Sequence, residues 1–415
     1  MPAPLGRRRS TARSAVVAIV VAQCFGTALW FSPSGAAAGL SAWLDAGPAQ
    51  FGWLVAATQI GFIVGTLVSA LTGLADRFAP ERIFIVASLL GAGLNLGWTL
   101  LAPNLALVWI ARFAVGVCLA GIYPMGMKMI VKRARARSAQ ALSWLVGMLA
   151  LGTAMPQLLA ALGTDLPWQA IMWGSSGLAL VGAVLIASIG GKSGPAEAVP
   201  ESPSSPQSAR GEGAGPGRDS ALRRLFSDRG YRAAVFGYVG HMWELYAFWA
   251  VVPTLTLTAL SARVDATGVA ATSFAIIAVG TLGCILGGVV SRRAGSARVA
   301  ATALAGSGLM CLLYPLLPGI PALLVVVLLL WGLFVVADSP QFSELASTFA
   351  PDDLTGTGLT AMNSIGFGVS VISIVLLQGV LTVVGEPALW LLLPGPVLGL
   401  LAMRPLLRRA RTHAT

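Results

Sequence analysis

Apolar residues in this 415-residue chain come in long blocks, and short polar stretches that carry arginine separate them. A helix needs about 20 apolar residues to cross the hydrocarbon core of a bilayer. Blocks of that size fall near 14–38, 52–74, 83–102, 105–127, 138–162 and 169–189, and again near 233–258, 268–290, 299–317, 321–342, 357–384 and 387–403. The pattern predicts twelve membrane-spanning helices. A continuous apolar block satisfies its backbone internally as a helix, whereas barrel strands would alternate apolar and polar residues. Arg7, Arg8, Arg9 and Arg13 precede the first block as they would a signal peptide. That block is too long for a signal core and no convincing cleavage site follows it, so it reads as a retained helix.

Composition narrows the class. Hydrophobic residues make up 56% of the chain and charged residues 10%, against about 25% charged in an ordinary soluble domain. A soluble enzyme, a coiled coil and a disordered chain are all excluded, because none could cover its surface with so little charge. The net charge of +11 would point to nucleic acid in a soluble protein. Here its placement decides otherwise. With both termini cytoplasmic, 25 of the 27 basic residues fall in inner loops and tails, leaving Arg263 outside and Arg112 within a span. That asymmetry sets orientation in a cell inner membrane. Arg133, Arg135 and Arg137 then read as topology signals that touch lipid headgroups. The four cysteines lie in apolar runs, so neither disulfides nor a metal site is indicated, and no cofactor is expected.

Between 190 and 231 the chain turns rich in Pro, Ser, Gly and Glu, the mark of a flexible linker. It separates a bundle over 14–189 from one over 232–404, with cytoplasmic tails at 1–13 and 405–415. An offset of 216 residues superimposes Arg77 on Arg293, Arg82 on Arg298, Gly116 on Gly332, Pro124 on Pro340 and Gly152 on Gly368. The fold class expected is all-α integral membrane, two six-helix bundles related by a pseudo-twofold axis, acting as a monomer.

Thr72-Gly73-Leu74-Ala75-Asp76-Arg77, after the second span, resembles the loop signature of the major facilitator superfamily. Gly288 to Gly295, with Arg292 and Arg293, is its counterpart after the eighth. Arg112-Phe-Ala-Val-Gly116 is similar to that family's R-x-x-x-G element. Ala79 stands where the signature has glycine, and Met155-Pro156 where the antiporter signature has Gly-Pro. The resemblance implies two bundles around a cavity that opens to one side at a time, with solute bound near the midplane. It also implies that Asp76 grips a neighbouring helix in one state, and it places Arg77, Arg292 and Arg293 in the same gating loops. Asn363-Ser-Ile-Gly366-Phe-Gly368 is similar to the glycine-rich segment of nitrate and nitrite porters. The arginines those porters carry in their second and eighth spans are missing here, so nitrate is not carried over.

Polar groups inside spans are costly and therefore candidates for function. Arg112 lies roughly 10 Å below the outer end of the fourth span at 1.5 Å per residue. No acidic residue lies in the interior of a first-half span, so its charge falls to carbonyls, to Gln23, Gln59 or Asn95, to an acid of the other half, or to an anionic ligand. It is a helix tether, or else a group in proton coupling or in the site of an anionic solute. His241 and Glu244 lie one turn apart near the middle of the seventh span. They form a pair able to take up and release protons, or alternatively a polar lock between helices. Asp338 and Glu344 fall toward the inner end of the tenth span, and Glu344 aligns with Lys128 at the repeat offset, an inner gate or separate interfacial charges. Trp43, Trp53, Trp98, Trp109, Trp168 and Trp390 read as outer-interface anchors. Trp30, Trp243, Tyr246, Trp249 and Asn363 are deeper, and either line the cavity or pack.

No Walker A sequence, metal-ligand cluster or Ser-His-acid arrangement is present, so transport would draw on a gradient. The leading expectation is a proton-linked carrier of a small solute, organic or inorganic anions among the candidates. A proton-driven multidrug or metabolite exporter is the alternative, and a non-transporting sensor or scaffold the third reading. The partners expected are the solute, protons and membrane lipid, with no nucleic acid.

Overall fold

The computed structural model describes residues 5–72, 74–133, 138–163, 166–190, 218–260, 264–317, 319–351 and 354–412, and no strand occurs among them. The twelve spans are α1 (Leu5–Thr27), α2 (Pro48–Thr72), α3 (Pro80–Gly97), α4 (Leu105–Arg133), α5 (Ser138–Leu162), α6 (Gln169–Gly190), α7 (Arg229–Leu260), α8 (Ala266–Ala294), α9 (Ser296–Leu313), α10 (Pro321–Phe334), α11 (Thr355–Val384) and α12 (Pro394–Ala402). Among the described residues ten segments are long and apolar enough to cross a membrane. Those of α10 and α12 reach that length only as Pro321–Phe349, taken through the break after α10, and Glu386–Arg408, taken with the 3-10 helix Glu386–Leu392 that precedes α12. Of the other two spans, α1 has a shorter apolar stretch, Ser14–Thr27, and α7 is 32 residues long with His241 and Glu244 in its middle.

Two of the expected continuous spans are broken. α1 stops at Thr27 instead of running to 38, and short helices at Ser32–Gly35 and Ala37–Leu44 carry the chain onward. The Thr27 hydroxyl folds back on the Gln23 carbonyl at 2.8 Å, a contact that bends helices, and Pro33 opens the next segment. α10 stops at Phe334 and resumes as Ser339–Phe349. Pro340 has no N–H to continue the ladder, and its ring would clash with the carbonyl four residues back, at Val336 in the break. Its repeat partner Pro124 sits inside an unbroken α4. The expected linker falls largely on residues 191–217, which lie outside those described, and its last part, Arg218–Ser227, is helical.

The two halves meet along α2 with α11 and α5 with α8. Small residues make these seams close: Thr281 Oγ1 donates to the Gly147 carbonyl at 2.9 Å, and Gly288 lies against Ser143. Within the halves the repeat recurs in packing. A Cβ on Gly116 would overlap the Thr58 carbonyl of α2, and one on Gly332 would overlap the Ile276 carbonyl of α8. Gly152 packs equally tightly on α1, whereas Gly368 faces open space. The repeat also explains Ala79. Gly295, its counterpart, has φ 81°, but Ala79 is extended at φ −60°, a conformation that needs no glycine.

Candidate functional site

The break in α1 leaves backbone carbonyls without helical partners, and Arg112 of α4 supplies them. Its Nη2 donates to the Leu29 and Trp30 carbonyls at 3.0 and 2.7 Å. Nη1 donates to Asn95 Oδ1 at 2.8 Å and Ser32 Oγ at 3.3 Å, and Nε to Thr58 Oγ1 at 3.1 Å. Asn95 Nδ2 passes the network on to the Met172 carbonyl and Ser176 of α6, both at 3.1 Å. All five guanidinium N–H groups are used and the side chain is fully buried. Of the partners expected from sequence, carbonyls and Asn95 serve. Gln59 instead accepts from Trp30 Nε1 at 3.1 Å, and Gln23 has no partner among the described residues. Arg112 therefore has no donor left for an anion.

The second half holds the other buried charges, and it pairs them differently from the sequence expectation. Glu244 does not meet His241. Its Oε2 accepts from Ser307 of α9 at 2.8 Å and its Oε1 from Trp331 of α10 at 2.7 Å, so it joins three helices of one bundle. His241 Nδ1 lies 2.8 Å from Asp338 Oδ1, and both side chains are 1% exposed. Asp338, expected at an inner gate, is instead fully enclosed at the break in α10. His241 Nε2, both Asp338 oxygens and the neighbouring Gln341 Oε1 have no partner of hydrogen-bond geometry among the described residues, so the His241–Asp338 contact is one of distance alone. Glu344 is exposed and accepts from Ser296 Oγ at 2.6 Å instead of meeting Lys128, which is half-buried on α4. Arg77, Arg292 and Arg293 are exposed at the basic end of the bundle. The side chain of Asp76 lies outside the described residues.

Between the halves stands a wall of rings. Trp30 lies 4.9 Å from Phe62, 5.7 Å from Tyr246 and 5.8 Å from Phe367, centroid to centroid. Phe62 reaches Phe367 at 4.6 Å and Tyr123 at 6.5 Å. Toward the basic end this wall borders a cavity of about 210 Å³, lined from α2, α4 and α11 by Phe62, Thr66, Tyr123, Met125, Met127 and Asn363 among others. Tyr238 donates to Asn363 Oδ1 at 3.0 Å, and its ring stands 5.7 Å from that of His241. The cavity and the His241–Asp338 pair are thus one side chain apart.

Of the deeper candidates, Asn363 lines the cavity, whereas Trp30 and Tyr246 pack within the ring wall and Gln59 against Trp30. Trp243 does neither: its Nε1 donates to the Leu391 carbonyl at 2.8 Å, facing α12. Trp43, Trp98 and Trp168 form their own cluster at 5.3 to 6.0 Å, while Trp53 remains 47% exposed. Sequence reasoning misses Phe62, Tyr123, Tyr238 and Phe367, since aromatic residues in apolar blocks carry no sign of which face they occupy. Among the described residues no cluster could hold a metal ion.

Two helix bundles, broken helices and a cavity between the halves define a membrane transporter, not an enzyme. Residues 14–402 match the model of the Major Facilitator Superfamily, and the chain belongs to that family. Its fold is shared with a bacterial homologue of the human lysosomal transporter Spinster, solved inward-facing and unoccupied. That match has a TM-score of 0.70 at 12% identity and covers 96% of this chain and 98% of the other. The nucleoside transporter NupG, solved as a point mutant, is similar at TM-score 0.69 and 11% identity, over 94% and 98% of the two chains. No curated protein matches the sequence.

Proposed function

We propose that the protein is a proton-coupled secondary transporter of a small solute, working as a monomer by alternating access in the cell inner membrane. The basic end and both termini face the cytoplasm, and the linker over 190–231 joins the two moving bundles. The observation that carries the coupling is the enclosed His241–Asp338 contact at the break in α10. An acid and a base in contact inside the membrane are expensive unless a proton can be shared or exchanged between them. The unpartnered His241 Nε2 gives that proton somewhere to go when the helix moves. Tyr238 relates the pair to Asn363 in the cavity wall, so solute occupancy and protonation act on one side chain. Arg112 and Glu244 are braces within their own bundles, because every strong hydrogen bond they make stays inside one half.

The test is solute-triggered proton movement in proteoliposomes loaded with a pH-sensitive dye, using a solute found by thermal-shift screening. Asp338→Asn removes proton movement and spares solute exchange. Proton movement at the wild-type rate in this variant would overturn the coupling role.

The exporter reading is favoured by one feature, the apolar lining of the cavity by Phe62, Tyr123, Met125 and Met127. Direction follows from which side of an oriented vesicle accumulates solute under an acid-outside gradient.

A further inference from the structure

The charged side chains buried within the membrane are committed away from the space between the halves. Arg112 spends its five N–H groups inside the first bundle. Glu244 is held by Ser307 and Trp331, and Asp338 by His241 inside the second. None of them lines the cavity, whose described lining carries no charge at all. An ion brought there would lose its hydration with no counter-ion to replace it, a penalty of several kcal/mol even after relaxation.

The lining offers two things instead. One is ring surface: Phe62, Tyr123 and, just behind them, Trp30, Tyr246 and Phe367, contributed by both halves. Such rings hold another flat ring by offset or edge contacts, and the sulfurs of Met125 and Met127 add favourable contact at a ring edge. The other is a single hydrogen-bonding point. Asn363 Oδ1 is taken by Tyr238, which orients the amide and leaves Nδ2 without a protein acceptor among the described residues. It can donate to a solute carbonyl.

We propose that the transported solute is an uncharged, flat aromatic compound bearing a carbonyl-type acceptor, seated in the cavity against Phe62, Tyr123 and Asn363. This deepens the transporter reading and rests on it. It also replaces an anionic solute, whose only receptor in the membrane was Arg112. A cation is drawn to ring faces, but no lining carboxylate would balance it, so it is the main competitor.

Three probes share one ring and differ in charge: benzamide, benzoate and benzylamine. Ligands that bind the native state raise the thermal unfolding midpoint, so each is titrated against purified full-length protein. Benzamide should act saturably at concentrations about tenfold lower than either charged probe. Phe62→Leu and Asn363→Ala should each weaken it about tenfold, the scale of one lost contact or hydrogen bond. The proposal is overturned if benzoate or benzylamine binds as well as benzamide, if no probe saturates, or if both variants leave benzamide unaffected. In proteoliposomes, benzamide should also trigger proton movement. Saturable binding without it leaves the solute class standing and removes the coupled-transport reading. Movement triggered by benzoate alone does the reverse.

Discussion

Trp30 and Tyr246 are separated by the same 216 residues that relate the two halves of the chain, and their rings stand 5.7 Å apart. Repeat-equivalent positions, one in the break after α1 and one on α7, therefore meet each other between the bundles. Trp30 is fixed from three sides: its indole N–H by Gln59, its carbonyl by Arg112 and its ring by Phe367 at 5.8 Å.

Trp30→Ala removes the largest ring of this wall, and the site can collapse only partly. Unfolding stability should fall by roughly 3–5 kcal/mol, as for other large buried aromatics. Reconstituted vesicles should also leak protons without added solute. A tight vesicle with normal coupling would show that the wall does not close the route.

Arg112→Lys keeps a charge but replaces a planar five-donor group with three donors on one nitrogen. Some of the Leu29, Trp30, Asn95, Ser32 and Thr58 acceptors then go unmet in a fully buried place. The loss should be about 3–5 kcal/mol, typical of a disrupted buried charge network, read by chemical or thermal unfolding in detergent. Benzamide affinity of the folded fraction should be unchanged.

Glu244→Gln keeps an acceptor oxygen for Trp331, and its amide N–H can donate to Ser307 Oγ, whose own proton then goes to the Leu304 carbonyl at 3.1 Å. The cost should stay near 1 kcal/mol, roughly the difference between a charge-assisted and a neutral hydrogen bond, with proton coupling retained. Loss of coupling in this variant and its survival in Asp338→Asn would exchange the roles given to the two acids.

Gly116→Ala and Gly332→Ala should be destabilising to a similar degree, about 1–3 kcal/mol each, because both added methyls meet backbone carbonyls across a helix contact. Gly368→Ala, facing open space, is the control and should be neutral or slightly stabilising by helix propensity. Unfolding midpoints of the three variants decide it.

Orientation can be read from one cysteine. Ser227→Cys, just before α7, should react with a membrane-impermeant maleimide only from the cytoplasmic side. The four native cysteines are buried or half-buried and give little background.

Much of the fold was legible because it depends on quantities that are local along the chain. Block length gave the number of spans, and the offset of Arg77 from Arg293 and of Pro124 from Pro340 gave the duplication. The breaks in α1 and α10 were not legible. Pro33 and Pro340 were visible, but Pro124 shows that a proline alone does not break a helix here. What differs is whether neighbouring groups can take up the freed backbone. Arg112 does so for Leu29 and Trp30, and Cys284 Sγ for Val336 at 3.3 Å.

The candidate site followed the same division. Sequence singled out Arg112, His241 and Glu244 as residues costly to bury, since that cost belongs to the side chain and its depth, but it placed Asp338 at the inner end of its span. It paired His241 with Glu244 because they share a helix face. Only the tertiary structure decided that Asp338 reaches His241 while Ser307 and Trp331 take Glu244. Partner choice depends on how each helix is rotated and crossed against its neighbours, and a one-dimensional pattern of apolar blocks leaves that rotation open. Membrane class, span count and repeat belong to the sequence; the uncharged cavity belongs to the packing, which turned every buried charge into its own bundle.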